Sequence, residues 1–216
     1  NFVRYADDFV VTGASKELLE HEVKPVIERF LAERGLQLSP NKTKITHISE
    51  GFDFLGWNVR KYGNKLLIKP AKRNEQQFRH KVRDIVKKLR TAKQEDAIRV
   101  LNPVIRGWGQ YHSSQVASKV FSKMDHYLHQ KLWRWAERRH PNKTKGWLYK
   151  RYYQPTPSRK WVFATGKEKL AQLSDIKIRR HVKIKAEANP FDPEWAEYFD
   201  IRTGWKMYKT LTGRRR

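Results

Sequence analysis

Phe2-Val3-Arg4-Tyr5-Ala6-Asp7-Asp8-Phe9-Val10-Val11-Thr12 lies at the start of the chain. Two β-prone runs, Phe2–Tyr5 and Phe9–Thr12, flank Ala6-Asp7-Asp8, and the pattern reads as a β-hairpin with its turn on the aspartates. Adjacent carboxylates held at a tight turn repel one another, and a divalent cation relieves that repulsion. Mg²⁺ takes hard oxygen ligands, commonly one or two carboxylates together with substrate phosphates. Asp-Asp is also an ordinary turn dipeptide, so its context must decide its meaning. No Met precedes Asn1 and the first residues already read as a strand, so further residues are expected upstream.

Ser15 is an N-cap candidate for a helix running to Arg34, where Gly35 supplies the stop. Leu19, Val23, Ile27, Phe30 and Leu31 share one face of it, and Pro25 should kink it or delay its start. Leu36–Ile48 reads as extended, with a turn at Ser39-Pro40-Asn41. Phe52–Arg60 and Lys65–Lys69 read as a hairpin across Tyr62-Gly63-Asn64. The order β-β-α-β-β-β is that of an α+β sheet domain.

After Pro70 the period becomes helical. Glu75–Arg90 places Phe78, Val82, Ile85 and Leu89 on one stripe, and Glu95–Tyr111 follows with an interruption at Pro103. Val116–Arg139 carries Val116, Val120, Met124, Leu128, Leu132 and Trp135 on its inner face. Three helices with short links predict a small bundle. A Lys143–Tyr153 helix, a Pro155-Thr156-Pro157 break, a Lys160–Ala164 strand and irregular structure complete the chain.

Charge divides the sequence somewhat earlier, after residue 58. The 216 residues carry a net charge of +25. Residues 1–58 hold seven Lys/Arg against nine Asp/Glu, whereas residues 59–216 hold forty against thirteen and seven of the eight tryptophans. A folded, strongly cationic chain calls for a polyanionic partner. The absence of cysteine excludes disulfides, Cys-ligated zinc and thiol nucleophiles. No apolar run approaches the ~20 residues of a membrane span, so no membrane partner is expected.

Tyr5-Ala6-Asp7-Asp8 between apolar strands resembles the YxDD signature of reverse transcriptases. Phe54-Leu55-Gly56-Trp57 looks like their primer-grip hairpin, and the loop Asn41-Lys42-Thr43-Lys44 like the lysine-bearing palm loop. Ile105–His112 and Leu132–Lys143 resemble the thumb, or domain X, of group II intron maturases. His181–Lys185 and Asn189–Pro193 are similar to the DNA-binding stretch that follows in that family. The resemblance implies part of a reverse-transcriptase palm over residues 1–70, a helical thumb/maturase bundle over 71–153, and a basic C-terminal extension over 154–216 that contacts a DNA target. It implies Asp7 and Asp8 as catalytic ligands of Mg²⁺, or Mn²⁺ in its place. Lys42 or Lys44 would donate a proton to pyrophosphate or neutralise triphosphate charge; either is equally a solvated loop lysine.

The resemblance implies an RNA-directed DNA polymerase and maturase acting on intron RNA, an RNA–DNA template–primer and deoxynucleotides. A second chain is a candidate source of the fingers and remaining palm. The expected setting is a cytoplasmic bacterial ribonucleoprotein or one of organellar origin. The family's third metal-binding aspartate lies on an earlier strand and has no counterpart here. The Cys-containing nuclease of many members is missing too, so no DNA cutting is expected. A non-catalytic RNA-binding splicing factor is therefore the rival reading.

Lys72 and Arg73 precede the first thumb helix and Arg83, Lys87 and Lys88 lie along it, where phosphate contacts give salt-dependent affinity without sequence readout. Arg106, Arg134, Arg138, Arg139, Lys143, Lys145, Lys150 and Arg151 are further candidates for RNA contact. Trp108 and Tyr111 are candidates for stacking on unpaired bases, although aromatics at helical spacing more often pack a core. Trp135 is expected in that core. The histidines show no metal-binding pattern and read as surface or RNA-facing residues.

Overall fold

The computed structural model describes residues 1–157, 159–180, 184–185 and 187–203, in two compact units, 1–180 and 181–216. The first unit opens with the antiparallel hairpin β1 (Phe2–Tyr5) and β2 (Asp8–Val11). Tyr5 pairs with Asp8, so the turn is Ala6-Asp7 alone, with Ala6 at a φ of 53°. Asp8 is thus the first residue of β2 and not part of the turn.

A π-helical turn over Leu18–Val23 leads into α1 (Lys24–Ala32), with Ser15 Oγ accepting from Leu18 N–H at 3.2 Å. Pro25 lacks the N–H that a regular turn would use, and regular helix begins only at its neighbour. At the other end Leu36 N–H reaches Leu31 O and Gly35 N–H reaches Ala32 O, with Gly35 at a φ of 68°. This is a Schellman stop. The apolar face expected to pack does so only partly: no residue of α1 is buried, and Phe30 is 54% exposed.

Residues 36–51 contain no strand; Lys42 and Thr43 N–H both donate to Ser39 O. Phe52–Arg60 is two strands rather than one. β3 (Phe52–Phe54), β4 (Trp57–Tyr62) and β5 (Lys65–Pro70) form an antiparallel sheet in sequence order. Phe54 pairs with Trp57, and Leu55 and Gly56 turn the chain with φ of 48° and 78°. Positive φ at both central residues is the requirement of a type I′ turn.

The bundle comprises α2 (Lys72–Lys88), α3 (Gln94–His112), α4 (Ser118–Arg139) and the shorter α5 (Lys145–Tyr152). Phe78, Val82, Ile98, Leu101, Ile105, Met124, Leu128, Leu132 and Trp135 form its core. The α2 stripe is turned by one position from expectation, since Val86 is buried while Ile85 and Leu89 lie at the margin. Phe121 takes the inner place expected for Val120, and Val116 is exposed before α4 begins. α3 runs unbroken through Pro103, which faces solvent, as does Arg99 one turn before it. The Arg99 carbonyl left without its helical donor is on that side.

Beyond α5 the expected break is a strand. β6 (Tyr153–Thr156) pairs with β7 (Arg159–Phe163) across an irregularity between Gln154 and Thr156 that accommodates Pro155. Phe163, Leu170 and Leu173 join the helical core, so packing continues past residue 153. Gln94 Nε2 bridges the parts by donating to Tyr152 O at 2.8 Å and Ala164 O at 3.0 Å. The protein is thus α+β, with small antiparallel sheets and a helical bundle.

In the second unit, a 3-10 turn over Pro193–Trp195 precedes helical residues 196–203, and Asp192 caps it by accepting from Glu194 N–H at 3.0 Å. Of the His181–Lys185 motif, positions 181–183 lie outside the described residues. No helix among the described residues is long and apolar enough to cross a membrane.

Candidate nucleic-acid interface

Asp7 and Asp8 lie at the tip of the first hairpin, both exposed. Neither carboxylate makes a hydrogen bond or ion pair among the described residues. Two free, adjacent hard-oxygen donors suit Mg²⁺, which fills its remaining positions with water and phosphate. Among the described residues no group of three or more His, Cys, Asp or Glu is placed to hold a metal. Lys42 and Lys44 are exposed in the 36–51 loop and have no bonded link to the aspartates.

Phe54–Trp57 is seated on the bundle. The Tyr111 hydroxyl donates to Leu55 O, and Ala71 N–H donates to Gly56 O at 3.0 Å. Gly56 holds a φ of 78°, and a Cβ there would lie 2.9 Å from Asn74 Nδ2, so any other residue would be strained at this approach. Trp57 stacks on Tyr111 at 5.7 Å and meets His112 edge-on at 4.5 Å. Asn74 Oδ1 accepts from Trp108 Nε1 at 2.6 Å and lies 2.9 Å from His112 Nε2. His112, expected at the surface, is fully enclosed, and burial lowers its pKa to about 4.

A groove of about 350 Å³ lined by cations lies between α2 and α4. Arg83 and Lys87 from α2, with Arg90 just beyond it, face Lys131, Arg134 and Arg138 of α4 across Val86. The spacing 131/134/138 puts that trio on one face of α4, and Arg83 and Lys87 lie one turn apart on α2, with Arg90 just past its C-cap. Among the described residues no carboxylate lines the groove, and of its cations only Arg83 has an acidic partner, the exposed Asp84 at 3.1 Å. Like charges one turn apart cost a helix roughly 0.2–0.5 kcal/mol per pair. Two facing rows of like charge therefore add no stability to the fold, and their chemistry suits an anion. Arg83, Lys87, Arg134 and Arg138 were legible as candidates, and Arg90 lies at the end of the same basic run. Lys131 carried no signal in one dimension, because only the facing of the helices brings it in.

The other candidates are dispersed. Lys72, Arg73, Lys88, Arg106, Lys145 and Lys150 are exposed. Lys143 lies over Trp147 at 5.5 Å, and Arg151 over Tyr152 at 5.5 Å. The Arg139 guanidinium is committed within the protein, donating to Arg90 O at 2.8 Å and Ala92 O at 2.9 Å above the Trp135 ring. Trp108 is likewise engaged, stacked on Phe78 at 4.6 Å with its N–H used. Tyr111 keeps 51% of its surface open.

Comparison with known proteins divides the chain at the same place as its charge. Residues 1–59 match the family "Reverse transcriptase (RNA-dependent DNA polymerase)", and residues 75–153 match "Group II intron, maturase-specific domain". The chain is 44% identical over 59 residues to Protein YkfC of Escherichia coli strain K12, covering 26% of this chain and 15% of that one. It is 30% identical over 136 residues to an uncharacterized 91 kDa protein in the cob intron of Schizosaccharomyces pombe, covering 52% and 17%. It is 28% identical over 96 residues to Maturase-like protein 1 of Euglena longa, covering 43% and 21%. The chain thus spans about a fifth or less of the length of these relatives. The chain joins a segment similar to reverse transcriptases, carrying the Tyr5–Asp8 hairpin, to a segment similar to the maturase-specific domain of group II introns, carrying the cationic groove.

Proposed function

We propose that this chain supplies the YADD half of the palm, the primer grip and the thumb of a group II intron RNA-directed DNA polymerase that also acts as maturase. One observation carries the reading: two facing rows of cations, with no lining carboxylate, inside the maturase-specific segment. Such a groove grips a phosphate backbone, with affinity falling steeply as salt rises. Asp7 and Asp8 are the residues that would hold Mg²⁺, whose chemistry when bound is to activate a 3′-hydroxyl and stabilise the leaving pyrophosphate. The Leu55-Gly56 turn, fixed by Tyr111 and Ala71, positions a primer end; Lys42 or Lys44 offers charge to the triphosphate. The basic stretch 154–216 is assigned, by its composition, to contact with a DNA target.

The test has two arms. Lys87→Glu with Arg134→Glu should weaken binding to intron RNA and flatten the slope of log affinity on log salt by about 2, one for each lost phosphate contact. An unchanged slope removes the groove from the interface. In primer extension on an RNA template by a complex that contains this chain, Asp7→Asn and Asp8→Asn should abolish synthesis while RNA binding persists; retained synthesis refutes the catalytic assignment. The isolated chain favours a second reading, an RNA-binding splicing factor, because no third carboxylate joins Asp7 and Asp8 among the described residues. Extension by the isolated chain would exclude it.

A further inference from the structure

On a different face of α4 from the cationic groove lies a cavity of about 230 Å³. His129 precedes Arg134 by five positions, about 140° around the helix. The floor of the cavity is apolar, made by Leu132, Phe163 and Leu170, and its walls are Tyr153 and Trp161 of the β6–β7 hairpin. At this volume it falls below the roughly 300–1,000 Å³ of drug-sized sites and suits a single ring system.

Its polar groups lack partners. Elsewhere in the bundle Trp108, Trp133 and Trp135 place their indole N–H on Asn74, Glu137 and Leu89 O, at 2.6–2.7 Å. The Trp161 indole N–H has no such partner among the described residues, and the side chain is 49% exposed. The ring nitrogens of His129 and the side-chain amide of Gln172, both at the cavity, are equally unpaired. Asp125 and His126 are the exceptions: the Asp125 carboxylate is held by Leu173 N–H at 2.8 Å and Ser174 N–H at 2.9 Å, and His126 Nε2 pairs with Gln130 Nε2 at 2.9 Å. Trp161 itself is propped by Tyr149 at 4.3 Å and by Tyr153 and Trp133 at 5.7 Å. Burial and the neighbouring His126 hold His129 below the usual imidazole range, so at neutral pH it offers one donor and one acceptor.

An apolar slot with an exposed, buttressed indole and several uncommitted donors and acceptors has the recognition chemistry of a nucleobase: a π-face to stack on and an edge to hydrogen-bond. We propose that this cavity receives one unpaired base of the bound RNA, stacked on Trp161 with its edge read by His129 and Gln172. The proposal rests on the RNA-binding reading above and adds to it a contact that selects single-stranded over duplex RNA.

The experiment compares two labelled RNAs bound by the full chain: a hairpin with an unpaired loop, and a duplex of equal charge. Trp161→Ala should weaken hairpin binding roughly 5- to 150-fold, the range for loss of one base–aromatic stack, and change duplex binding less than about twofold. The salt slope should stay as in the wild type, because no phosphate contact is lost. Trp161→Phe should restore most of the affinity. Scanning an abasic site through the loop, with the wild-type protein, should find one position with a comparable loss, and this arm needs no variant to fold. Equal losses on hairpin and duplex, or no loss on either together with no sensitive abasic position, overturn the proposal. Full displacement of the hairpin by nucleoside monophosphates would make the cavity a free-nucleotide site and overturn it too. Failure of the wild-type chain to bind either RNA defeats the RNA-binding reading itself, whereas binding that ignores Trp161 and the abasic scan defeats only the base pocket.

Discussion

Acid should loosen the junction between the β3–β4 turn and the bundle through one residue, His112. Its ring is enclosed by Trp57 at 4.5 Å, Trp108 at 4.6 Å and Tyr111 at 4.9 Å. Nε2 is paired with Asn74 Oδ1, while Nδ1 is buried without a partner. Protonation would therefore bury a charge and an N–H with no acceptor, and the pKa falls from 6.5 to about 4. Between these values the unfolded chain takes up a proton that the folded one refuses, so stability rises with pH across the window. The contribution is complete above pH 6.5, declines as pH falls, and at about pH 4 its loss approaches about 3 kcal/mol, at 1.36 kcal/mol per pH unit. Urea unfolding of wild type and His112→Gln at steps from pH 7 to pH 4 isolates this effect. Gln keeps a donor for Asn74 and cannot titrate. The variant should begin less stable by about 1–3 kcal/mol, and the gap should close as pH falls. Parallel stability curves would refute the reasoning.

Three further outcomes concern the bundle. Arg134→Glu, placed opposite Lys87 and one turn from Arg138, should leave the fold as stable or more stable by about 0.2–0.5 kcal/mol in thermal unfolding, since it relieves like-charge repulsion in the groove. Two glycines on α3 should part company. Gly107→Ala meets nothing within 4 Å and should stabilise by about 0.5–1 kcal/mol. A Cβ at Gly109 would lie 2.8 Å from Leu173 Cδ2 and nearer still to Ile176 Cδ1, so Gly109→Ala should destabilise by about 1–3 kcal/mol. Gln94→Ala, which strips a buried donor from Tyr152 O and Ala164 O, should cost about 1–3 kcal/mol and raise hydrogen exchange in the β6–β7 hairpin first.

The period of the apolar residues sufficed to place α2, α3 and α4, because each buries one continuous stripe in a single core. It failed where a local rule yields to packing. Leu55 in a left-handed conformation splits what reads as one strand, and no propensity anticipates a leucine there. Pro103 reads as a break, yet the exposed side of α3 tolerates the lost hydrogen bond. Pro155 reads as a break too, and lies in a two-stranded ribbon at an irregular position. The aspartate hairpin was legible because its turn is local. Lys131 in the groove and the burial of His112 were not, since both depend on how helices face one another.

The clasp on the Leu55-Gly56 turn also bears on the order in which the molecule assembles. A leucine at a φ of 48° costs of order 1–3 kcal/mol and persists only where its surroundings over-determine it. Those surroundings are the Tyr111 hydroxyl at the far end of α3 and the Ala71 amide at the start of α2. Isolated, residues 52–62 have only the short β3–β4 pairing to hold that conformation, so the turn settles fully only after the helices have docked. Folding kinetics should then show the α2–α4 core structured in the transition state and the β3–β4 turn among the last parts to form, with substitutions at Leu55 and Tyr111 acting on the unfolding rate.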